Sequence, residues 1–99
     1  MYQLKLVYRM IEYEGVAGTC LPHRDFGLLT LVQSTTSGLL VEREGRMVPV
    51  AGDVLLAGWC LHLLTDGRIP APLHQVSAPP VKRYSCVTFM APPKVKLRQ

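Results

Sequence analysis

The chain has 99 residues, of which 48% are hydrophobic and 18% are charged. A chain of this length forms one small globular domain with a thin hydrophobic core, which excludes a second autonomous domain. The formal net charge is +4, but the basic residues are spread along the chain until the short tail at 94–99. Without clustered charge and aromatic residues on one face we expect no nucleic-acid partner, and a few Arg or Lys side chains suit a small anionic ligand.

The cysteines and the apolar segments favour a soluble protein in a reducing compartment. Cys20, Cys60 and Cys86 are odd in number and widely spaced, which fits neither a disulfide framework nor a zinc ribbon. The first residues do not resemble a secretion signal, and the most apolar run, 54–61, is too short to cross a bilayer. We therefore expect a cytoplasmic protein with no membrane partner.

Short apolar segments separated by turn residues predict an all-β domain. In chain order, strands are predicted at 3–12, 28–33, 38–43, 47–50, 54–57, 73–77 and 83–89. A flexible connection is predicted at 14–18 and a hairpin loop at 44–46. The segment 59–64 is ambiguous between a strand and a helical turn. So many short strands in a small domain favour two sheets packed face to face, as in a sandwich or jelly roll.

The first candidate for chemistry is the sequence His23-Arg24-Asp25. In an extended strand His23 and Asp25 lie on one face and Arg24 on the other. A single H-x-D motif is common by chance and is more often part of a surface loop. His74 on a later predicted strand changes this balance, because two imidazoles and one carboxylate form the facial triad of non-heme Fe(II) oxygenases. Such a triad leaves room on the metal for O2 and a bidentate cosubstrate.

Arg83 and Ser85 share one face of the last predicted strand. The planar guanidinium offers a fork for bidentate hydrogen bonds and the serine adds a short hydroxyl donor, a pair suited to a dicarboxylate such as 2-oxoglutarate. The alternative is that Arg83 lies on an edge strand and extends into solvent.

Several motifs follow one another along the chain. They are HRDFGLLTLVQ at 23–33, GLLV at 38–41, LLTDGR at 63–68, HQV at 74–76 and RYS at 83–85, followed by Phe89 and Pro92. In the same order they resemble H-x-D-x-G-x-L-T-L-L-x-Q, G-L-Q-V, L-T-N-G-R, H-R-V, R-x-S and F-x-x-P of the isopenicillin N synthase-like Fe(II)/2-oxoglutarate-dependent dioxygenases. The resemblance covers roughly residues 9–93.

This resemblance implies a double-stranded β-helix, or jelly roll, over residues 1–93, followed by a basic tail at 94–99. Relatives are about three times longer and carry a helical N-terminal half that covers the sheet, so the chain looks truncated and an exposed apolar face is expected. Self-association, or a partner chain in place of the N-terminal half, would cover that face.

The resemblance also implies the roles of the site residues. The implied metal ligands are His23, Asp25 and His74. Arg83 and Ser85 would hold the distal carboxylate of 2-oxoglutarate. Tyr13 stands where relatives often keep a tyrosine near the other carboxylate, although a tyrosine in an apolar strand is more often core packing.

The implied activity is that of a non-heme oxygenase with Fe(II) and 2-oxoglutarate as cofactor and cosubstrate. With O2 it would oxidise a small organic substrate, by hydroxylation or desaturation, and release succinate and CO2. Two alternatives stay open. One is a family member that does not use 2-oxoglutarate, and the other is a non-catalytic or truncated metal-binding, oligomerising domain.

Several residues lie outside the family pattern. Residues 56–59 read LAGW where relatives often have N-I-G-D, and Pro70 and Pro72 stand where relatives commonly have Lys-Ser, which stiffens the approach to His74. His62 has no partner at ligand spacing and is expected to be structural. Trp59 could line the mouth of the pocket, but a single aromatic residue in an apolar segment more often belongs to the core, and we expect it there.

Overall fold

Short strands and one short helix follow one another along the chain in a computed structural model that describes residues 4–13, 20–35, 38–77 and 83–93. The strands are β1 (Lys5–Tyr13), β2 (Cys20–His23), β3 (Leu29–Ser34), β4 (Leu39–Arg43), β5 (Arg46–Pro49), β6 (Val54–Ala57), β7 (His74–Val76) and β8 (Arg83–Ala91). The helix α1 (Trp59–Leu64) lies between β6 and β7.

The strands form two antiparallel four-stranded sheets. The major sheet has the order β1-β8-β3-β6 and the minor sheet the order β2-β7-β4-β5. Apart from the hairpin of β4 and β5, neighbouring strands are far apart in sequence: β1 pairs with β8 from Lys5↔Ala91 to Tyr13↔Arg83. This arrangement confirms the predicted all-β class and the jelly-roll architecture.

The core lies between the two sheets because each strand turns alternate side chains inward. Its buried residues come from both sheets and are Val32, Leu39, Val41, Leu56, Val76, Val87 and Phe89. Along β8 every second residue is buried, and the inward positions change from Val87, Phe89 and Ala91 to Arg83 and Ser85 at the other end. The strand therefore carries its two buried polar residues at one end of the core.

The outward side of the major sheet is apolar and exposed, as the resemblance led us to expect. On β1, Tyr8 and Met10 are 69% and 73% exposed, and Leu6 is exposed beside them. Leu55 on β6 is also exposed and pairs with Leu31 of β3. We call the surface formed by outward residues of these strands, which include Leu6, Tyr8, Met10, Leu31 and Leu55, the outer face.

The structure differs from the predicted elements around His23. Residues 20–23 form a strand that was not predicted, and it ends at His23, so Asp25 lies in the following loop and not on the same strand. Pro22 obscured this strand in the sequence, but β2 is an edge strand of the minor sheet, where proline is tolerated. The ambiguous segment 59–64 is a helix. The predicted connection at 14–18 and the tail at 94–99 lie outside the described residues.

Candidate metal and carboxylate site

The two predicted histidines are brought together by strand pairing. His23 is the last residue of β2 and His74 the first of β7, and the two are partners in the antiparallel register. Their ring centroids lie 4.4 Å apart with the planes inclined by 56°. The edge strand β2 therefore places one imidazole beside the other at the end of the minor sheet.

Asp25 completes a cluster with these two imidazoles. Its Oδ1 lies 3.3 Å from Nε2 of His23 and 3.5 Å from Nε2 of His74. One ligand atom from each of the three side chains lies within 4.8 Å of the other two, a spacing at which they could hold a metal ion. Sequence reasoning predicted this convergence correctly, although the loop after β2 produces it and not the alternation of one strand.

The start of α1 holds the loop that carries Asp25. The backbone N–H of Trp59 donates to the carbonyl oxygen of Asp25 over 2.7 Å, and that of Gly58 donates to Leu28 over 2.8 Å. Arg24 points away from the cluster, and its Nε donates to the carbonyl oxygen of Ala71 over 3.0 Å. The loop is thus tied both to α1 and to the segment that leads into β7.

Both imidazoles are oriented by backbone carbonyls. Nδ1 of His23 lies 2.9 Å from the carbonyl oxygen of Leu21, and Nδ1 of His74 lies 3.2 Å from that of Pro72. A carbonyl accepts, so each Nδ1 carries the proton and each neutral ring keeps its lone pair on Nε2, toward Asp25. Hydrogen bonds of this kind orient histidines that bind metals. Here Pro72, one of the two prolines outside the family pattern, supplies such a carbonyl.

The electrostatics of the cluster suit a cation. Asp25 is only 2% exposed, and its Oδ1 makes no hydrogen bond of good geometry within the described ranges. Burial alone would raise the pKa of the Asp25 carboxyl, but hydrogen bonds from Nε2 of His23 and His74, made when that nitrogen carries a proton, stabilise the carboxylate and hold its pKa well below the usual range. The same contact with Asp25 raises the pKa of His23, against the effect of burial. Two imidazole nitrogens and one carboxylate form a donor set for a divalent transition metal.

The second half of the site lies on β8. Arg83 and Ser85 are each 1% exposed and both point into the core. Nη2 of Arg83 donates to Oγ of Ser34 over 2.6 Å, and Oγ of Ser34 lies 3.2 Å from Oγ of Ser85. The alternative of an arginine on an edge strand that extends into solvent is wrong, because β8 lies between β1 and β3 and buries this side chain.

One cavity connects the two halves. It is lined by His23, Asp25, Thr30, Val32, Leu39, His74, Val76, Arg83, Ser85 and Val87. Its volume is about 20 Å³, room for about one water molecule. A neighbouring cavity of about 320 Å³ shares Val32, Leu39 and Arg83 with it. A dicarboxylate therefore fits only if the residues that separate the two cavities move. Arg83 is one of these residues, because it lines both cavities.

The remaining predicted residues lie at the edge of this site or outside it. Tyr13 pairs with Arg83 in the register of β1 and β8, and its side chain lies outside the described part of the structure. Trp59 is 40% exposed, so the expectation that it belongs to the core was wrong. The reason is that α1 lies on the surface, with none of its residues buried. His62 lies outside the cluster: its ring stacks on Trp59 and its Nδ1 lies 2.8 Å from the carbonyl oxygen of Ile69.

Sequence reasoning missed two polar residues of the site, Thr30 and Ser34. Both lie on β3 in the same alternating phase as the buried Val32, so they face the core with it. Thr30 lines the cavity beside Asp25, and Ser34 contacts Arg83. The signal was available, because polar residues in the inward phase of an otherwise apolar strand are informative.

A larger groove lies elsewhere in the described part of the structure. It has a volume of about 750 Å³ and is lined by residues of β4, β6, α1 and the segment 70–72. It contains Arg24, Arg43, Trp59 and His62 but none of the three clustered metal-ligand candidates. The three clustered metal-ligand candidates, with Arg83 and Ser85, therefore line the small cavity between the sheets and not the larger groove.

Similar folds occur in several solved structures. A full-length protein of Neurospora crassa, in complex with alpha-KG (2-oxoglutarate) and thymine, is 22% identical with a TM-score of 0.76, and the match covers 89% of this chain and 33% of that one. Dioxygenase for auxin oxidation 1 of Arabidopsis thaliana, in complex with 2-oxoglutarate, is 20% identical with a TM-score of 0.77 over 93% and 40%. JOX2, in complex with 2OG, Fe and JA, is 17% identical with a TM-score of 0.78 over 96% and 32%. The chain thus spans about a third of these proteins.

The sequence matches a known family over most of its length. No curated protein matched it. In the described ranges no helix is long and apolar enough to span a membrane. The model of the 2OG-Fe(II) oxygenase superfamily matches residues 5–92, which agrees with the predicted resemblance and with Fe(II) and 2-oxoglutarate as the cofactors. The chain therefore belongs to the 2OG-Fe(II) oxygenase superfamily.

Proposed function

We propose that residues 1–93 are an oxygenase core in which one cavity holds both a metal ion and 2-oxoglutarate. Its product is a small organic molecule that has been hydroxylated or desaturated, formed with succinate and CO2. The observation that carries this proposal is that two complementary groups line the same cavity. One is the cluster of His23, Asp25 and His74, and the other is the pair Arg83 and Ser85.

The cluster fits Fe(II) by its chemistry. Without a metal, Nε2–H hydrogen bonds from the two imidazoles hold the pKa of Asp25 low; a metal ion would take the place of those protons and bind the Asp25 carboxylate and the Nε2 lone pairs of His23 and His74. Three ligands on one side of a metal leave positions for a cosubstrate and O2. Bound Fe(II), with 2-oxoglutarate and O2, supplies the oxidising power for attack on a C–H bond.

The chain's own residues bind and orient the cosubstrate. Arg83 and Ser85 present N–H and O–H donors to its distal carboxylate, while the 2-keto acid end faces the cluster. The apolar walls formed by Val32, Leu39 and Val87 keep bulk water away from the bond that is oxidised. We place Tyr13 near the cosubstrate as a further contact, which its backbone pairing with Arg83 supports.

An anaerobic titration tests this proposal. Addition of Fe(II) and then 2-oxoglutarate to the purified chain should give the visible absorption band of the chelate, and His74→Ala and Arg83→Ala should each abolish or weaken it. His62→Gln is the matched control, because His62 lies outside the cluster and should leave the band unchanged. A chain that binds Fe(II) but shows no band would overturn the assignment of 2-oxoglutarate.

In that case a superfamily member that does not use 2-oxoglutarate becomes the better hypothesis, with Arg83 and Ser85 holding another small anion. Succinate formation separates the two hypotheses. Stoichiometric succinate from 2-oxoglutarate in the presence of Fe(II) and O2 supports the first, and metal-dependent oxidation without succinate supports the second.

A second candidate function is that of a non-catalytic, metal-binding and oligomerising domain. The observation that favours it is the outer face, where Tyr8, Met10 and Leu55 are exposed on one side of the major sheet. An apolar surface of this kind marks an interaction site. We propose that a second copy of the chain, or a partner chain, covers it. The free thiols of Cys60 and Cys86 support a reducing, cytoplasmic setting for either function.

Sedimentation of the purified chain tests this second candidate. Self-association that Tyr8→Lys abolishes and Asp53→Lys, at an exposed loop position, leaves intact would support a copy of the chain as the occupant. A monomer at all concentrations would rule out self-association and leave a partner chain. Metal binding without succinate formation would then favour the non-catalytic function.

A further inference from the structure

The hydroxyl of Ser34 lies between the two side chains proposed to bind the carboxylate. Arg83 Nη2 donates to Ser34 Oγ over 2.6 Å, and Ser34 Oγ lies 3.2 Å from Ser85 Oγ. We propose that Ser34 is a positioning residue for the cosubstrate, which fixes the guanidinium of Arg83 and directs the hydroxyl proton of Ser85 toward the distal carboxylate. This inference rests on the proposed function and deepens it.

The chemistry of the groups fixes the direction of the hydrogen bond between Arg83 and Ser34. A guanidinium has only donors, so Ser34 Oγ is the acceptor in its contact with Arg83. Either hydroxyl can donate in the contact between Ser34 and Ser85; in the arrangement that we propose, Ser34 donates to Ser85 Oγ and the proton of Ser85 is left for a third group. A carboxylate has only acceptors, so it complements a site where Arg83 and Ser85 both present donors.

The sheet fixes this geometry. Ser34 on β3 is the direct register partner of Ser85 on β8, in the major sheet. Side chains in directly opposed positions of an antiparallel pair are neighbours, so no flexible loop sets their separation. Arg83 is confined from another side by Gly38, at which a Cβ would lie 3.3 Å from Arg83 Cδ. Ser34 and Gly38 therefore both restrict the position of the Arg83 side chain.

A comparison of two keto acids tests the role of Ser34. The iron-loaded chain is titrated anaerobically with 2-oxoglutarate and with 2-oxobutyrate, which has the same 2-keto carboxylate but no distal carboxylate. Ser34→Ala should raise the Kd for 2-oxoglutarate roughly tenfold, the effect of losing one hydrogen bond to a charged group, and leave the Kd for 2-oxobutyrate unchanged. Gln33→Ala, at the exposed neighbouring position of the same strand, should bind both acids as the wild type does.

Further variants separate positioning from loss of folding. Ser34→Thr and Ser34→Val have nearly the same shape and differ in the hydroxyl, so Thr should bind 2-oxoglutarate close to wild type and Val should behave as Ala does. Ser34→Ala should raise the Kd for 2-oxoglutarate less in the Arg83→Ala background than in the wild type, because the two residues act through one contact. Thermal melting of each variant checks its fold.

The outcomes distinguish this inference from the proposed function. Wild-type affinity for 2-oxoglutarate in Ser34→Ala and Ser34→Val, with weaker binding in Arg83→Ala, would overturn the inference and leave the function standing. Weaker binding of both keto acids in these Ser34 variants would overturn it as well. The substitution would then affect binding of the 2-keto carboxylate at the metal and not only binding of the distal carboxylate. Failure of the wild-type chain to bind 2-oxoglutarate would overturn both.

Discussion

The backbone of Gly58, at the start of α1, lies directly against the backbone of Gly27, and a Cβ on Gly58 would overlap the Gly27 carbonyl oxygen. No side chain fits at this position, because the obstacle is backbone that cannot rotate away. The contact matters for function, since the neighbouring N–H of Trp59 holds the carbonyl of Asp25. This close approach joins a helix outside the site to the loop that carries the central carboxylate.

Substitution of this glycine should therefore damage both the fold and the cluster. We expect Gly58→Ala to lower the free energy of unfolding by at least about 1–3 kcal/mol, as overpacking does, and to weaken metal binding. Gly45→Ala is the control: its Cβ meets nothing within 4 Å, so it carries only the strain of a positive φ and should keep its metal affinity. Denaturant unfolding and a zinc titration measure both effects. Unchanged metal affinity in Gly58→Ala would contradict the role given to this contact.

Removal of the central charge should abolish stabilisation by metals. A divalent ion at a concentration 100 times its Kd stabilises the folded state by about 2.7 kcal/mol, which raises the melting temperature. We expect Zn²⁺ or Ni²⁺ to raise the melting temperature of the wild type and to have no effect on Asp25→Asn, whose amide carries no charge. Asp66→Asn, at an exposed position, should respond to metal as the wild type does. An undiminished shift in Asp25→Asn would place the metal elsewhere.

Metal affinity should fall in acid, and the pKa of His23 sets where the fall begins. Metal binds the neutral imidazole, so protons compete for Nε2. Because the pKa of His23 is raised above 6.5, the affinity should start to fall at a higher pH than it would for an unperturbed imidazole. Asp25 has a lowered pKa and stays ionised over the same range. A zinc titration from about pH 8 to about pH 5.5, the range in which imidazoles titrate, measures this, and a constant affinity throughout would argue against ligation by His23.

Substitution of Gly38 should weaken the binding of 2-oxoglutarate and leave the binding of the metal unchanged. Its φ is +145°, and a Cβ there would lie 3.3 Å from Cδ and 3.4 Å from Nε of Arg83. We expect Gly38→Ala to displace the guanidinium and to weaken 2-oxoglutarate binding several-fold without loss of metal affinity. Gly52→Ala also carries a positive φ but meets nothing within 4 Å, so it controls for backbone strain. Calorimetric titrations with metal and then with 2-oxoglutarate separate the two effects. Equal cosubstrate affinity in both variants would contradict this packing role.

The sequence predicted which residues cluster in the candidate site. It predicted less well the strands and loops that bring them together. His23, Asp25 and His74 stood out because their residue types match a metal triad, and Arg83 with Ser85 because they share one strand face. Strand β2 was missed because Pro22 suppresses the strand signal, which matters little at a sheet edge.

Ser34 and Trp59 show the limit of local patterns. The role of Ser34 depends on the pairing of β3 with β8, a contact between residues 51 positions apart. Trp59 was assigned to the core on its residue type, but the fold leaves α1 on the surface. Both outcomes depend on tertiary packing, which the local sequence does not encode.

A crystal grown anaerobically with Mn²⁺ and 2-oxoglutarate tests the central claim most directly, because anomalous scattering locates the metal and electron density locates the cosubstrate. The expected result is one metal bound by His23, Asp25 and His74, with the distal carboxylate of 2-oxoglutarate on Arg83 and Ser85. A metal bound by other residues, or a carboxylate away from Arg83, would contradict the claim that one cavity between the two sheets holds both.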